Sequence, residues 1–341
     1  MIWLTWRQFR TQAATVFAAL AALAVVLAVT GPSLAHDYAA GIAACTTHGG
    51  CSAFTNDFFN SHQSLYFGLV AVVMFVPAII GLFWGAPLIT RELEAGTHRL
   101  VWNQSVTRTR WMATKLGLIG LAAMAAAGLA SLAVTWWSSP IDTAAADRFP
   151  RLSPLLFDAR GIAPLGYAAF AFTLGVTVGI LIRRALPAMA ITLTVFAVVQ
   201  IAMPLAIRPH LIPPVRLTTT ITATNVNGFL ISPGRPVHVT VGVSEPGAWI
   251  ISNQTINAAG HVVSGVPVSL STGPCVPAAP PRPPFSQACF TKISQLGYQQ
   301  QVAYQPAGRF WAFQWYETAI FLVLALALAG SCFWWTRRRL S

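Results

Sequence analysis

Acidic residues are scarce in this sequence of 341 residues, where 9 Asp and Glu face 21 Lys and Arg. Charged residues make up 9% of the chain and hydrophobic residues 55%, which is too little polar surface to cover a soluble globule. The formal net charge of +12 would suggest nucleic acid as the partner of a soluble protein. Here most basic residues lie at the ends of apolar runs, as in membrane proteins. We therefore expect a membrane protein that binds no nucleic acid.

Motifs for catalysis are also missing. The only lysines are Lys115 and Lys292, and neither lies in the GxxxxGK(S/T) loop that cradles nucleotide phosphates. The histidines show no HExxH or comparable ligand spacing. Asp142, Asp147 and Asp158 could form a carboxylate site, but among nearby arginines a solvated loop is the simpler interpretation. We predict that the chain is not an enzyme and holds neither a metal nor a cofactor.

Six apolar runs are each long enough to cross a hydrocarbon layer of about 30 Å, which needs about 20 helical residues. They lie near residues 13–35, 66–89, 113–137, 162–182, 185–207 and 315–335. Between the fifth and sixth runs, alternating β-branched and polar residues predict strands at 217–224, 238–243 and 262–271. The predicted fold is an all-α polytopic membrane protein with six transmembrane helices and a β-rich extracytoplasmic insertion between the fifth and sixth.

The positions of Lys and Arg predict the orientation. If both termini are cytoplasmic, the inner segments hold most of the basic residues, and the first outer loop, residues 36–65, holds none. We therefore predict a multi-pass protein of the plasma membrane with both termini in the cytoplasm. The predicted domains are a cytoplasmic amphipathic segment at 1–12, five helices at 13–207, the extracytoplasmic domain at 208–312, and a sixth helix with a basic tail at 313–341.

A cleaved signal peptide is the alternative at the N-terminus, because Ser33, Leu34 and Ala35 resemble a cleavage site. The apolar run before them is longer than the usual h-region of about 7 to 15 residues. Trp3 and Trp6 also make the start of the chain typical of an interfacial segment. Both features favour an uncleaved first helix.

Cysteines are placed in pairs in the predicted outer segments. Cys45 and Cys51 share the first outer loop, and Cys275 and Cys289 share the large insertion. Pairs on an oxidising face predict two local disulfides. The alternative is a metal site that uses Cys45, His48 and Cys51, but that loop lacks a dedicated fourth ligand.

Glu317 is the exceptional ionisable residue inside an apolar run, just within the outer end of the sixth. A carboxylate at that depth is a functional candidate in a membrane protein. The simpler alternative is that Glu317 reaches the interface and pairs with Arg309 or with water. The scarcity of deeper ionisable residues argues against proton-driven transport and for energy supplied from outside the chain.

A charged segment, RELEAGTHRLVWNQSVTRTRWMATK at 91–115, separates the second and third apolar runs. It resembles the cytoplasmic coupling segment of type-2 ABC transporter permeases, which often carry an RExExGT pattern, then a Pro-Val-Ser-Arg-like turn, and a Lys that opens the third span. The matching residues are Arg91, Glu92, Glu94, Gly96, Thr97, Val106, Arg108 and Lys115, while Ser105 stands where the family commonly has proline. The scarcity of lysine and the abundance of arginine and alanine also resemble actinobacterial proteins.

The resemblance implies a function and a set of partners. The chain is expected to be the permease subunit of an ATP-driven exporter, within membrane lipid, paired with a second permease as a homodimer or heterodimer. A separate ABC ATP-binding subunit would hold ATP and magnesium and would dock on a coupling segment at 90–112. The coupling residues implied by the resemblance are Arg91, Glu92, Glu94, Gly96, Thr97, Arg99 and Arg108.

The alternative function is a non-transporting membrane receptor or anchor that displays an extracytoplasmic ligand-binding domain. Six spans are more than an anchor needs, and the inner segments are too short for a signalling domain. Glu92 and Glu94 are expected to lie in an exposed inner segment, so replacing both by alanine should weaken ATPase binding and lower transport but change folding little.

Overall fold

The computed structural model describes residues 2–47, 50–94, 107–231, 236–277 and 285–338. The chain forms two compact units, one from Met1–Leu211 with Phe310–Ser341 and the other from Ile212–Arg309. Within the described residues, six helices are long and apolar enough to cross a membrane. This confirms the predicted fold class, in which a β-rich insertion interrupts six transmembrane helices between the fifth and the sixth.

The first unit is helical. Two π-helical turns, Gly81–Gly85 and Met203–Ile207, join neighbouring helices into the continuous second and fifth spans. The helices are α1 Ile2–Thr46, α2 Ser52–Ile80, α3 Pro87–Glu94, α4 Arg108–Ala144, α5 Pro154–Phe157, α6 Ala163–Ile182, α7 Ala185–Ala202, α8 Arg208–Leu211 and α10 Phe310–Arg338.

Helices α1 and α2 extend well past their predicted apolar runs. At 1.5 Å per residue, α1 is about 67 Å long, roughly twice the thickness of a hydrocarbon layer. Most of the predicted outer loop at 36–65 is therefore helix, because it contains long stretches without Pro or a Gly pair. The Cys45–Cys51 disulfide closes the short connection between the two helices. At the other end, α1 begins at Ile2, so the predicted segment 1–12 continues directly into the first span.

Helix α6 lies at the centre of the helical unit. Nearly all its side chains are buried, and it packs against α2, α4, α7 and α10. Its closest approach is to the backbone of the π-helical turn after α2. A Cβ placed on Gly175 would lie 2.4 Å from the carbonyl oxygen of Gly81 and 2.7 Å from the backbone nitrogen of Ala86. Only glycine permits this distance between the fourth span and the second.

The second unit contains an antiparallel sheet of four strands in the order β1-β6-β4-β5 and a separate hairpin of β2 and β3. A short helix, α9, covers a core of Val239, Val241, Phe285 and Phe290. The elements are β1 Val215–Thr220, β2 Val226–Leu230, β3 His238–Val241, β4 Trp249–Ile256, β5 Val262–Val263, α9 Gln287–Gln295 and β6 Gln299–Gln305.

Two of the predicted strands differ from the structure. Only the first part of the predicted strand at 217–224 is a strand, because β1 ends at Thr220. The stretch 262–271 contributes only the two residues of β5. Pro267 lacks the N–H that a strand must donate, which explains why pairing does not continue through that stretch.

The Gly175 contact yields a stability prediction. Replacing Gly175 by alanine should lower the free energy of unfolding by about 1–3 kcal/mol, because the new methyl group would push backbone atoms apart. The matched control is Gly117→Ala in α4, where a Cβ meets no atom within 4 Å. Thermal unfolding of both variants in detergent measures the difference. Equal unfolding temperatures for the two variants would contradict the proposed close packing.

Candidate functional site

The motif residues that the structure describes lie at the end of the helical unit where α1 begins and α10 ends. Arg91, Glu92 and Glu94 belong to α3, which follows the π-helical turn Gly81–Gly85 of the second span. Arg91 is exposed. Gly96, Thr97, Arg99 and Ser105 lie outside the described residues. Thr107 caps α4 by accepting the backbone N–H of Arg110 at 3.3 Å, so Arg108 is the first residue of the third span.

Glu92 and Glu94 both make contacts inside the chain. The Glu92 carboxylate pairs with the ammonium group of Lys115 in α4, and the Lys115 side chain is 4% exposed. Glu94 Oε1 accepts the backbone N–H of Ala185 at 2.8 Å, at the start of α7. Glu94 is exposed, as expected for an exposed inner segment, whereas Glu92 is half-buried, and each of the two glutamates connects α3 to another span.

A cavity of about 220 Å³ lies beside the Glu92–Lys115 pair. The first turns of α1 form one wall with Phe9 and Gln12, and Arg91 lies at its edge. Phe9 packs edge-on against Trp84 with ring centroids 4.7 Å apart. The start of α1, the end of the second span and the start of the third thus meet around one recess, which both apolar and charged side chains line.

The largest group of buried charges lies at the opposite end of the helical unit. Arg208 binds Glu317 through two parallel hydrogen bonds, Nε to Oε2 at 2.8 Å and Nη2 to Oε1 at 2.9 Å. The same Nη2 also donates to Oδ1 of Asp158. Tyr167 donates from its hydroxyl to Glu317 at 2.6 Å and lies 3.1 Å from Asp158. We call Asp158, Arg208 and Glu317 the carboxylate–arginine cluster.

The cluster is shielded from solvent on every side. The Arg208 and Glu317 side chains are 0% exposed and that of Asp158 is 3% exposed. The Phe157 ring lies 4.1 Å from the guanidinium carbon of Arg208. Burial is the main reason why the pKa of Asp158 rises from 3.8 to about 6, the Glu317 carboxylate adds to the rise, and Arg208 opposes it.

A second buried ion pair lies in the same region. Asp142 accepts hydrogen bonds from Nε and Nη2 of Arg160, each at 3.3 Å, and from the hydroxyl of Tyr66 at 2.6 Å. The half-exposed Arg151 approaches Asp142 from outside at 3.6 Å. The connection between α4 and α6 is therefore anchored to α2 and α4 by charge as well as by apolar contacts.

Several sequence-based interpretations need correction here. Asp142 and Asp158 are buried and paired, so the interpretation as a solvated loop is wrong for both, whereas Asp147 is exposed. Glu317 pairs with Arg208 and not with Arg309, which donates to the backbone oxygen of Pro213.

Sequence reasoning missed Arg208, Tyr167 and Gln200 as members of this site. Arg208 was assigned to the outer segment because the apolar run ends one residue earlier. The available signal was its opposite charge to Glu317. Each of the two residues lies close to the end of its span that adjoins the insertion in the sequence, and intramembrane charges are usually paired.

The four paired cysteines form the predicted disulfides, Cys45–Cys51 and Cys275–Cys289. The first disulfide leaves neither thiolate free to bind a metal, and His48 lies outside the described residues. In the part of the chain that the structure describes, no group of three or more His, Cys, Asp or Glu side chains is arranged to hold a metal ion.

We expect the loss of Arg208 to lower the stability of the protein strongly. Arg208→Met leaves two buried carboxylates facing each other, and breaking a buried pair in this way costs about 3–5 kcal/mol of stability. Arg151→Met at the same end removes only a half-exposed partner, so its cost should stay within about 1 kcal/mol. Unfolding of both variants in detergent tests the contrast. Similar unfolding midpoints would show that Arg208 is not the central contact.

Comparison with known proteins agrees with the geometry. Residues 17–208 match the family model described as ABC-2 membrane transporter related, and this stretch is more than half of the chain. No curated protein and no solved structure matched the chain. The matched stretch contains the first five spans together with α3, whose sequence carries the RELE motif. The chain therefore belongs to the ABC-2 membrane transporter related family and is a type-2 ABC transporter permease.

Proposed function

We propose that this permease couples ATP hydrolysis by a separate ATP-binding subunit to export across the plasma membrane, with the 90–112 segment as the docking element. Permeases of this family generally work with an ATP-binding subunit. In the proposed arrangement, ATP and magnesium are bound by that subunit, and catalysis takes place there and not in this chain. A second permease, identical or related, completes the transporter.

The observation that carries this proposal is the way α3 is attached to the other spans. α3 continues the second span, Glu92 pairs with Lys115 of the third, and Glu94 accepts the first backbone N–H of α7 in the fifth. A displacement of α3 must therefore move or strain three spans together. An isolated solvated loop would need none of these contacts.

The physical character of these contacts suits the transmission of force. The Lys115 ammonium is shielded from water, packs 4.8 Å from the Trp111 ring centroid and is held by the Glu92 carboxylate. An ion pair in a low-dielectric setting resists separation more than one in water. α3 is therefore rigidly attached to the other spans, and its exposed residue Arg91 is placed to contact a partner.

Family membership also favours transport over the alternative of a receptor or anchor. The match covers five of the six spans and does not reach the inserted β-rich unit, so the shared part belongs to the helical unit. A receptor would place its main function in the inserted unit.

Charge reversal at Arg91 tests the docking element. Arg91→Glu should weaken copurification of the ATP-binding subunit at least about tenfold, because a matching contact becomes repulsive. Arg216→Glu, an exposed position on β1, is the matched control and should leave copurification unchanged. Arg91 is a better target than Glu92 or Glu94, whose loss would also break contacts between spans. Normal ATPase binding by Arg91→Glu would refute docking through this face of α3.

Cysteine accessibility tests the orientation that export requires. In intact cells, a membrane-impermeant maleimide should label Ala223→Cys in the inserted unit and should label Arg110→Cys only after permeabilisation. The unmodified chain is a suitable background because four cysteines form disulfides and Cys332 is buried. Labelling of Arg110→Cys in intact cells would reverse the proposed orientation.

A further inference from the structure

The carboxylate–arginine cluster holds more acid than base. Asp158 and Glu317 contribute two carboxylates, and Arg208 contributes one guanidinium. If both carboxylates are ionised, the cluster has a net charge of −1. None of its three side chains is more than 3% exposed. An uncompensated charge is costly in such surroundings, and a buried carboxyl group usually responds by taking up a proton.

The groups that face Asp158 do not supply the missing positive charge. Arg208 comes from α8, Glu317 from α10, Tyr167 from α6 and Gln200 from α7. Arg160, two residues along the same connection, is engaged with Asp142 in the neighbouring pair. Arg208 is therefore the one cation that contacts Asp158 among the described residues, and Glu317 already takes both of its parallel hydrogen bonds.

Gln200 provides a second and independent observation. Its Nε2 donates to Oδ2 of Asp158 at 3.1 Å, whereas its Oε1 is buried without a hydrogen-bond partner among the described residues. A protonated Oδ2 becomes a donor and is a much poorer acceptor for Nε2 than a carboxylate oxygen is. A half-turn of the amide exchanges the two atoms and offers Oε1 as the acceptor at that position. One side chain thus fits both protonation states of Asp158.

We propose that the carboxylate–arginine cluster is a proton-binding site, in which Asp158 takes up one proton on Oδ2 and Gln200 turns its amide to accept the hydrogen bond. The proton comes from water, one O–H bond forms, and the net charge of the cluster changes from −1 to 0. No electrons are exchanged. The two parallel hydrogen bonds between Arg208 and Glu317 keep the remaining opposite charges paired.

The ionisation of Asp158 supports this assignment. Its pKa of about 6, raised mainly by burial, lies close to the range in which both states are populated in cells. Gln200 is also part of the wall of a largely apolar cavity of about 450 Å³ between α2 and α7. Proton uptake would therefore change which amide atom is available beside that cavity.

Infrared spectroscopy of the purified protein tests the proposal directly. Acidification from about pH 8 to about pH 5 should produce the carbonyl band of a buried protonated carboxylic acid with a midpoint near 6. Asp158→Asn should lack this band. Asp147→Asn, an exposed aspartate on the same connection, is the matched control and should keep it.

A second variant tests the part assigned to the amide. Gln200→Leu removes both the donor to the carboxylate form and the acceptor for the acid form. The bond to the charged carboxylate is the stronger of the two, so the midpoint of the infrared titration should move to higher pH while the band remains. This result does not depend on the folding of Asp158→Asn. An unchanged midpoint in Gln200→Leu would overturn the role of the amide.

Thermal stability gives an independent readout with a defined sign. The folded protein holds the proton more tightly than the unfolded chain, whose carboxyl has a pKa near 3.8. The unfolding temperature should therefore rise as the pH falls through 6 and decline as the pH rises through it. In Asp158→Asn this contribution should be absent. The proposal is overturned if the band persists in Asp158→Asn, if only Glu317→Gln removes it, or if the unmodified protein shows none.

Discussion

The salt bridge between Arg208 and Glu317 is the contact on which the arrangement of the helical unit most depends. These residues lie at the two helix ends between which the chain leaves the helical unit and returns to it, since α8 ends at Leu211 and α10 begins at Phe310. Asp158 attaches the connection before α6 to the same guanidinium, and Tyr167 attaches α6 to the carboxylates of Asp158 and Glu317. The cluster around this one cation therefore joins four segments. Burial of the cation is tolerated because its charge is paired on two sides.

Buried charges are paired differently at the two ends of the helical unit. At one end, Lys115 has a single carboxylate partner in Glu92, so one cation faces one anion. At the other end, two carboxylates share one arginine. Between them the helices are held by apolar contacts and by the close backbone approach at Gly175. The first arrangement favours a permanent mechanical link, and the second responds to its chemical surroundings.

The class of fold could be predicted from the sequence because each span leaves a simple signal, an apolar run of sufficient length. The β-rich insertion was also recognisable, since alternation between polar and β-branched residues has a clear period. Helix length beyond the apolar run was not predictable in this way. The residues at 36–65 are polar enough to resemble a loop, yet 36–46 and 52–65 form helix in the structure.

The site was predictable only in part. Glu317 could be found because a lone carboxylate in an apolar run is unusual. Its partner was not identified, because Arg208 lies 109 residues earlier and sequence spacing carries no information about such a contact. For the same reason, Asp142 and Asp158 resembled a solvated acidic loop among arginines. Pairing that depends on tertiary contacts becomes visible only when the helices are assembled.

The inserted unit begins and ends at nearly one point. Its first and last strands are hydrogen-bonded neighbours, with Val215 opposite Tyr304, and Gln305 donates to the backbone oxygen of Ile212 at 2.6 Å. The helical unit separately fastens its own two ends through Arg208 and Glu317. Contacts within each unit thus hold the two chain ends of that unit together. An evolving permease could acquire, exchange or lose such a unit as a module, because a short linker between α8 and α10 would satisfy the same geometry.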